Sequence, residues 1–213
     1  MNSYIATYSP ILAKAFAGSA AVFSALLLAL HFIKPDLDPT WRFISEYSRG
    51  DIGWIMPVAF LTLAVTCFTA IPLFWKQLKG WVGRTGLVLL GISGIGMILA
   101  ALFVTDPINT PMDQLSTAGI LHSMGGQLNL TSFAMVFLTI ALVRNDTWRK
   151  SKFILWTVTI LCVAADIAFI GTAASSEGTF GPGIYTGLFG RITILCFAAW
   201  AIIASIPLLK TRD

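Results

Sequence analysis

Apolar residues along this chain gather into six long runs instead of alternating with polar ones. The runs cover approximately residues 11–33, 52–74, 85–104, 118–143, 153–173 and 186–209. A helix needs about 20 predominantly apolar residues to cross ~30 Å of hydrocarbon, and each run supplies that. Strands of a membrane barrel would be about ten residues long and would alternate in polarity. The pattern therefore predicts an all-α polytopic membrane protein, a bundle of six transmembrane helices forming a single domain over 1–213. The first run is longer than a signal-peptide core and is followed by no small-x-small cleavage site, so it is read as a retained helix. The longest connection, 34–51, is too short to fold alone.

Composition agrees with the pattern. Of 213 residues, 56% are hydrophobic and 11% charged, against about 25% charged in an average soluble domain. Mean hydropathy is +0.81. A water-soluble globule, a disordered chain and a nucleic-acid binder are excluded. Cys67, Cys162 and Cys196 lie in apolar runs without a C-x-x-C pair, and read as small core residues.

The positive charge, a net +4, reports topology. Lys14, Lys76, Lys79, Arg84, Arg144, Arg149, Lys150, Lys152, Lys210 and Arg212 fall on one side of the predicted membrane, leaving Lys34, Arg42 and Arg49 on the other and Arg191 within a span. Cytoplasmic loops carry the cation excess. Both termini are therefore expected to be cytoplasmic, in a prokaryotic plasma membrane, with membrane lipids as partners and no nucleic acid.

The spans pair into three hairpins, each joined by an outer connection. Two of these connections look alike at an offset of 68 residues: Asp38-Pro39 before Ile44-Ser45-Glu46-Tyr47-Ser48, and Asp106-Pro107 before Met112-Asp113-Gln114-Leu115-Ser116. Small residues let membrane helices approach closely. Ala13, Ala17, Ala21, Ala25 and Ala29 mark such a face on the first span, and Gly86, Gly91, Gly94, Gly96 and Ala100 mark one on the third.

Ionisable groups inside spans are costly and usually face the bundle interior. At 1.5 Å per residue, Asp166 lies about 12 Å below the outer end of the fifth span and Arg191 about 9 Å below that of the sixth. An Asp166–Arg191 pair across this hairpin is expected. His122 lies one turn into the fourth span, with Gly126 and Asn129 on the same helical face. Asp106 ends the third span, Glu46 precedes the second, and His31 ends the first, where a histidine snorkels to the interface. Glu46, Asp106, His122, Asp166 and Arg191 thus sit at one level in the outer half. His122 with Asp106 reads as an oriented general base, beside Glu46 and with Ser45 or water as nucleophile. Arg191, Asp166 and Asn129 read as ligand-binding groups, with Arg191 holding an anion. No cofactor is expected. A divalent metal on Glu46, Asp106, His122 and Asp166 is a lesser alternative.

Ile44-Ser45-Glu46-Tyr47-Ser48, Thr105-Asp106-Pro107, Gly119-x-x-His122 and Gly187-Leu188-Phe189-x-Arg191 resemble, in order and spacing, the pattern of a prokaryotic six-helix membrane family catalogued as domain of unknown function 998. The Ile-Ser-Glu segment also bears a faint similarity to membrane proteins of the Frag/DRAM/Sfk type. The first resemblance implies that Glu46, Asp106, His122 and Arg191 occupy family positions. It implies no activity, and Asp166 lies outside it. The residues lead to an outward-facing intramembrane pocket that binds a lipid or another small amphiphile, with hydrolysis or transfer of part of it as an open extension. The alternatives are a small proton-coupled permease and an accessory subunit whose polar residues only set helix register.

Overall fold

The computed structural model describes residues 3–209, with side chains from Pro10 onward. It is helical throughout. Helix α1 runs Ser3–Ile33, α2 Ile55–Trp75, α3 Trp81–Leu102, α4 Thr117–Gln127, α5 Thr131–Leu142, α6 Lys152–Ser175 and α7 Thr186–Leu209. Taken together, α4 and α5 make one span, so six segments are long and apolar enough to cross a membrane. The expected termini fall at Met1 and Asp213, and with Lys210 and Arg212 they lie outside the described residues.

The spans close into a ring. α2 packs between α1 and α3, α3 packs on both α4 and α5, α5 on α6, α6 on α7, and α7 returns to α1. α5 also touches α7, whereas α4 packs chiefly against α3. That asymmetry leaves room between α4 and the α6–α7 hairpin.

Close approach is set by the glycines of α3. A Cβ at Gly86 would strike Leu138, one at Gly94 the Phe68 ring, and one at Gly96 the Gly125 carbonyl of α4. The alanine stripe of α1 does not do the corresponding job. Ala21 and Ala25 are exposed, and the buried face is Ala13, Phe16, Ala20, Phe23, Leu27 and Leu30. In lipid the exterior is as apolar as the interior, so residue size does not by itself choose the packed face.

The fourth span departs from the continuous helix expected over 118–143, breaking at residues 128–130. Asn129 Oδ1 accepts from the Thr131 N–H at 3.4 Å and from Thr131 Oγ1 at 2.8 Å, beginning a new helix, and the Leu130 N–H donates to Ser93 Oγ on α3 at 2.9 Å. An interrupted helix survives in hydrocarbon only where neighbours satisfy its freed backbone groups, and Ser93 and Asn129 do this.

The end of the bundle away from His122 is filled with aromatic rings. Phe16, Phe74, Trp148 and Trp200 are fully buried, with Phe16 edge-on to Phe74 at 5.5 Å and to Trp200 at 6.5 Å. The indoles are hydrogen-bonded, Trp148 Nε1 to the Ala204 carbonyl and Trp200 Nε1 to Thr139 Oγ1, each at 2.8 Å.

Candidate functional site: a cavity at the His122 end

At the opposite end lies a cavity of about 700 Å³, within the range of small-molecule sites. Six of the seven residues singled out in the sequence line it: Ser45, Glu46, Asp106, His122, Asn129 and Asp166. Arg191 does not. Apolar lining comes from Phe43, Phe60, Met97, Phe169, Phe180 and Ile194.

The start of α4 positions His122. Ser116 caps the helix, its Oγ accepting from the Gly119 N–H at 3.0 Å, while its own N–H donates to Asp106 Oδ2 at 2.8 Å. A carboxylate beside a helix N-terminus also meets the positive end of the helix dipole. Asp106 lies so close to the helix that a Cβ at Gly119 would run into its carboxylate. Asp106 and Gly119 are therefore one structural unit, three residues before His122. His122 is buried, and its Nδ1 lies 2.8 Å from the Phe103 carbonyl. A carbonyl only accepts, so Nδ1 carries the proton and Nε2 holds the lone pair in the neutral ring. Among the described residues Nε2 has no hydrogen-bond partner. The expected Asp106–His122 couple is corrected here: the Phe103 carbonyl orients the histidine, and Asp106 is committed to the helix start. Ser45 lines the same cavity without a hydrogen bond to His122.

Glu46 lies on the short 3₁₀ turn Ile44–Ser48, which packs on α2 and α7. Only 3% of it is exposed. Arg42 Nη2 stands 2.9 Å from Glu46 Oε1, one helical turn earlier, yet neither carboxylate oxygen has a donor in hydrogen-bond geometry. Desolvation raises the Glu46 pKa, with Arg42 acting against it; the Ile108 and Phe43 backbone groups soften the shift from outside good hydrogen-bond geometry.

The expected Asp166–Arg191 pair does not form. Asp166 Oδ2 accepts from Ser132 Oγ at 2.6 Å, at the first turn of α5. Arg191 faces the other way and is 5% exposed. Its Nη1 lies 3.0 Å from the Pro39 carbonyl, 2.6 Å from that of Arg42 and 3.0 Å from that of Gly187. Its Nε donates to His31 Nε2 at 2.9 Å, and its Nη2 to the Tyr47 hydroxyl at 3.3 Å. Thus Arg191 pins the α1–α2 connection to α7 instead of lining the cavity, and His31 accepts from it instead of snorkelling. Gly187 belongs to the same device, because a Cβ there would collide with the backbone of Trp41 and Arg42.

Asn109 escaped the sequence reading. Its Nδ2 donates to the Phe180 carbonyl at 2.9 Å, and its Oδ1 accepts from the Phe180 N–H at 2.7 Å. The pair ties the α3–α4 connection to the α6–α7 connection beside the cavity. Asn109 has φ 65°, a left-handed value that asparagine tolerates better than most residues, and that is the local signal that could have marked it. Among the described residues, no three His, Cys, Asp or Glu side chains are placed to hold one metal ion.

No curated protein and no solved structure matches the chain. A family profile does match, over residues 16–207, and it reaches into all six membrane-length segments and covers every motif residue from Glu46 to Arg191. The resemblance seen in the motifs therefore holds: the chain belongs to the family described as protein of unknown function DUF998.

Proposed function

We propose that this integral membrane protein binds an amphiphile in the cavity at the His122 end. The ligand's polar group lies among His122, Glu46, Asp106 and Asp166, and its apolar part runs along Phe60, Met97, Phe169 and Ile194. The observation that carries this reading is that one ligand-sized space at this end is lined by both kinds of surface. An accessory subunit needing only helix register has no use for such a space. The aromatic packing around Trp148 and Trp200 weighs against a permease, which needs a polar route through that end. Among the described residues no nucleophile is hydrogen-bonded to His122, so binding stands ahead of hydrolysis. Residence in a prokaryotic plasma membrane with the cavity outward completes the proposal; it rests on the charge distribution of the loops.

The test is native mass spectrometry of the detergent-purified protein. Gly126 lines the cavity, and a Cβ there meets no atom within 4 Å, so Gly126→Leu adds bulk at the lining from a position with space for it. The wild type is expected to carry a low-mass amphiphile that both Gly126→Leu and His122→Gln lose. If the two variants hold the same molecules as the wild type in equal amounts, the cavity is not the binding site.

A further inference from the structure

The charges lining the cavity are of one sign. Glu46, Asp106 and Asp166 contribute to the wall, and no lysine or arginine does. The nearby cations are spent elsewhere. Arg191 is occupied by loop carbonyls, and Arg49 Nη1 donates to the Thr105 carbonyl at 2.8 Å. Arg42 faces Glu46 in the one ion pair found among the described residues, leaving Asp106 and Asp166 with no cation within 4.0 Å. Each of those two carboxylates accepts one neutral hydrogen bond, from the Ser116 N–H and from Ser132 Oγ. Its other oxygen, Oδ1, is unpartnered among the described residues.

A second observation is independent of the charge count. Glu46 is 97% removed from solvent, lines the cavity, and has no hydrogen-bond donor on either oxygen. Arg42 balances the Glu46 charge but leaves both oxygens without a hydrogen bond of good geometry, and a ligand supplying N–H groups would satisfy them. His122 Nε2 adds another acceptor. The ionisable groups of the cavity thus present acceptors and negative charge. A phosphate or carboxylate head group would meet Asp106 and Asp166 with no lysine or arginine in the lining to receive it.

We propose that the ligand is a cationic amphiphile whose ammonium group is held at the acidic lining to which Asp106, Asp166 and Glu46 contribute. This rests on the amphiphile-binding reading above and narrows it to one chemical class. The rings of Phe43, Phe169 and Phe180, with Phe43 edge-on to each of the other two in the lining, suit a substituted ammonium as well as a primary one. The same group could arrive alone on an alkyl chain or as part of a phospholipid.

The test uses protein in phosphatidylcholine nanodiscs, with empty nanodiscs as blank. Saturable binding of radiolabelled dodecylamine is measured, followed by competition with lysophosphatidylethanolamine and with dodecyl phosphate. Dodecylamine is expected to bind saturably, and Gly126→Leu to abolish that binding. Asp166→Asn and Glu46→Gln, each nearly isosteric, are expected to weaken it about tenfold or more, the size of one charge-assisted hydrogen bond. Competition by lysophosphatidylethanolamine that Asp166→Asn weakens equally assigns the ammonium to a phospholipid; its absence assigns it to a simple amine. If dodecyl phosphate competes as well as dodecylamine and the two carboxylate variants bind normally, the cationic assignment falls while the amphiphile reading stands. If no probe binds saturably, or Gly126→Leu changes nothing, both fall.

Discussion

Glu46, on the α1–α2 connection, and Arg191, which reaches that connection from α7, show how differently two buried charges are treated. Arg191 has an acceptor for nearly every donor it presents, whereas Glu46 has one arginine beside it and no hydrogen bond of good geometry. Burial therefore holds the Glu46 pKa above its ordinary value. For an acid with a raised folded pKa, the folded state binds the proton more tightly than the unfolded chain does. The associated stability is present in full below the ordinary glutamate value and is lost as pH rises through the raised folded value. Glu46→Gln should remove that dependence. Thermal melts in detergent across the acid-to-neutral range should show the variant gaining on the wild type as pH rises, and parallel curves would refute the shift. The identities of these residues as unusual were readable from the sequence, because a charge beside or inside an apolar run stands out. Their partners were not. Depth follows from counting residues, but Asp166 and Arg191 at matching depths point to opposite sides of their hairpin, one to Ser132 and the other to the α1–α2 connection.

At the level of elements, helices that are apolar all round carry no stripe announcing which way they are turned. Span positions could accordingly be read to within a few residues, while the buried face of α1 and the orientation of Asp166 and Arg191 could not. The break between α4 and α5 was missed for a related reason: hydropathy runs on through it. Its signal was the Asn129-x-Thr131 sequence, which forms a local turn in competition with the helix. The break depends on Ser93, whose hydroxyl accepts the Leu130 N–H. Ser93→Ala leaves that buried donor unsatisfied and should destabilise the protein by about 1–3 kcal/mol. The cost should appear as a lower melting temperature, with the spans' helix content retained in circular dichroism. An unchanged melting temperature would mean that the interruption needs no support from α3.

For the molecule as a whole, loop charge predicts which end faces the cytoplasm, and the cavity lies at the end predicted to be outside. Asp113 and Lys150 are exposed in connections at opposite ends of the bundle. A cysteine at Asp113 should react with a membrane-impermeant maleimide in intact cells, and one at Lys150 only after permeabilisation. Cys67 and Cys162 are buried and Cys196 is half-buried within α7, so background labelling should be low. The opposite labelling pattern would invert the topology and put the cavity on the cytoplasmic side. The family motifs are explained at this scale too. Gly119 and Gly187 are the spaces into which Asp106 and the α1–α2 connection fit, so each glycine and the group it admits must be retained together.

The clamp formed by Arg191 also bears on the order in which the molecule is made. It joins α7 to atoms 144 to 160 residues earlier in the chain. The ribosome delivers α1, its connection and Glu46 first, and they wait in the membrane through the insertion of four more spans. Until α7 arrives, the carbonyls of Pro39 and Arg42 lack their guanidinium and the wall bearing Ile194 does not exist. The cavity is therefore a product of late assembly, and a nascent chain stalled before α7 leaves its polar connection unsealed, the kind of defect that membrane quality-control proteases recognise.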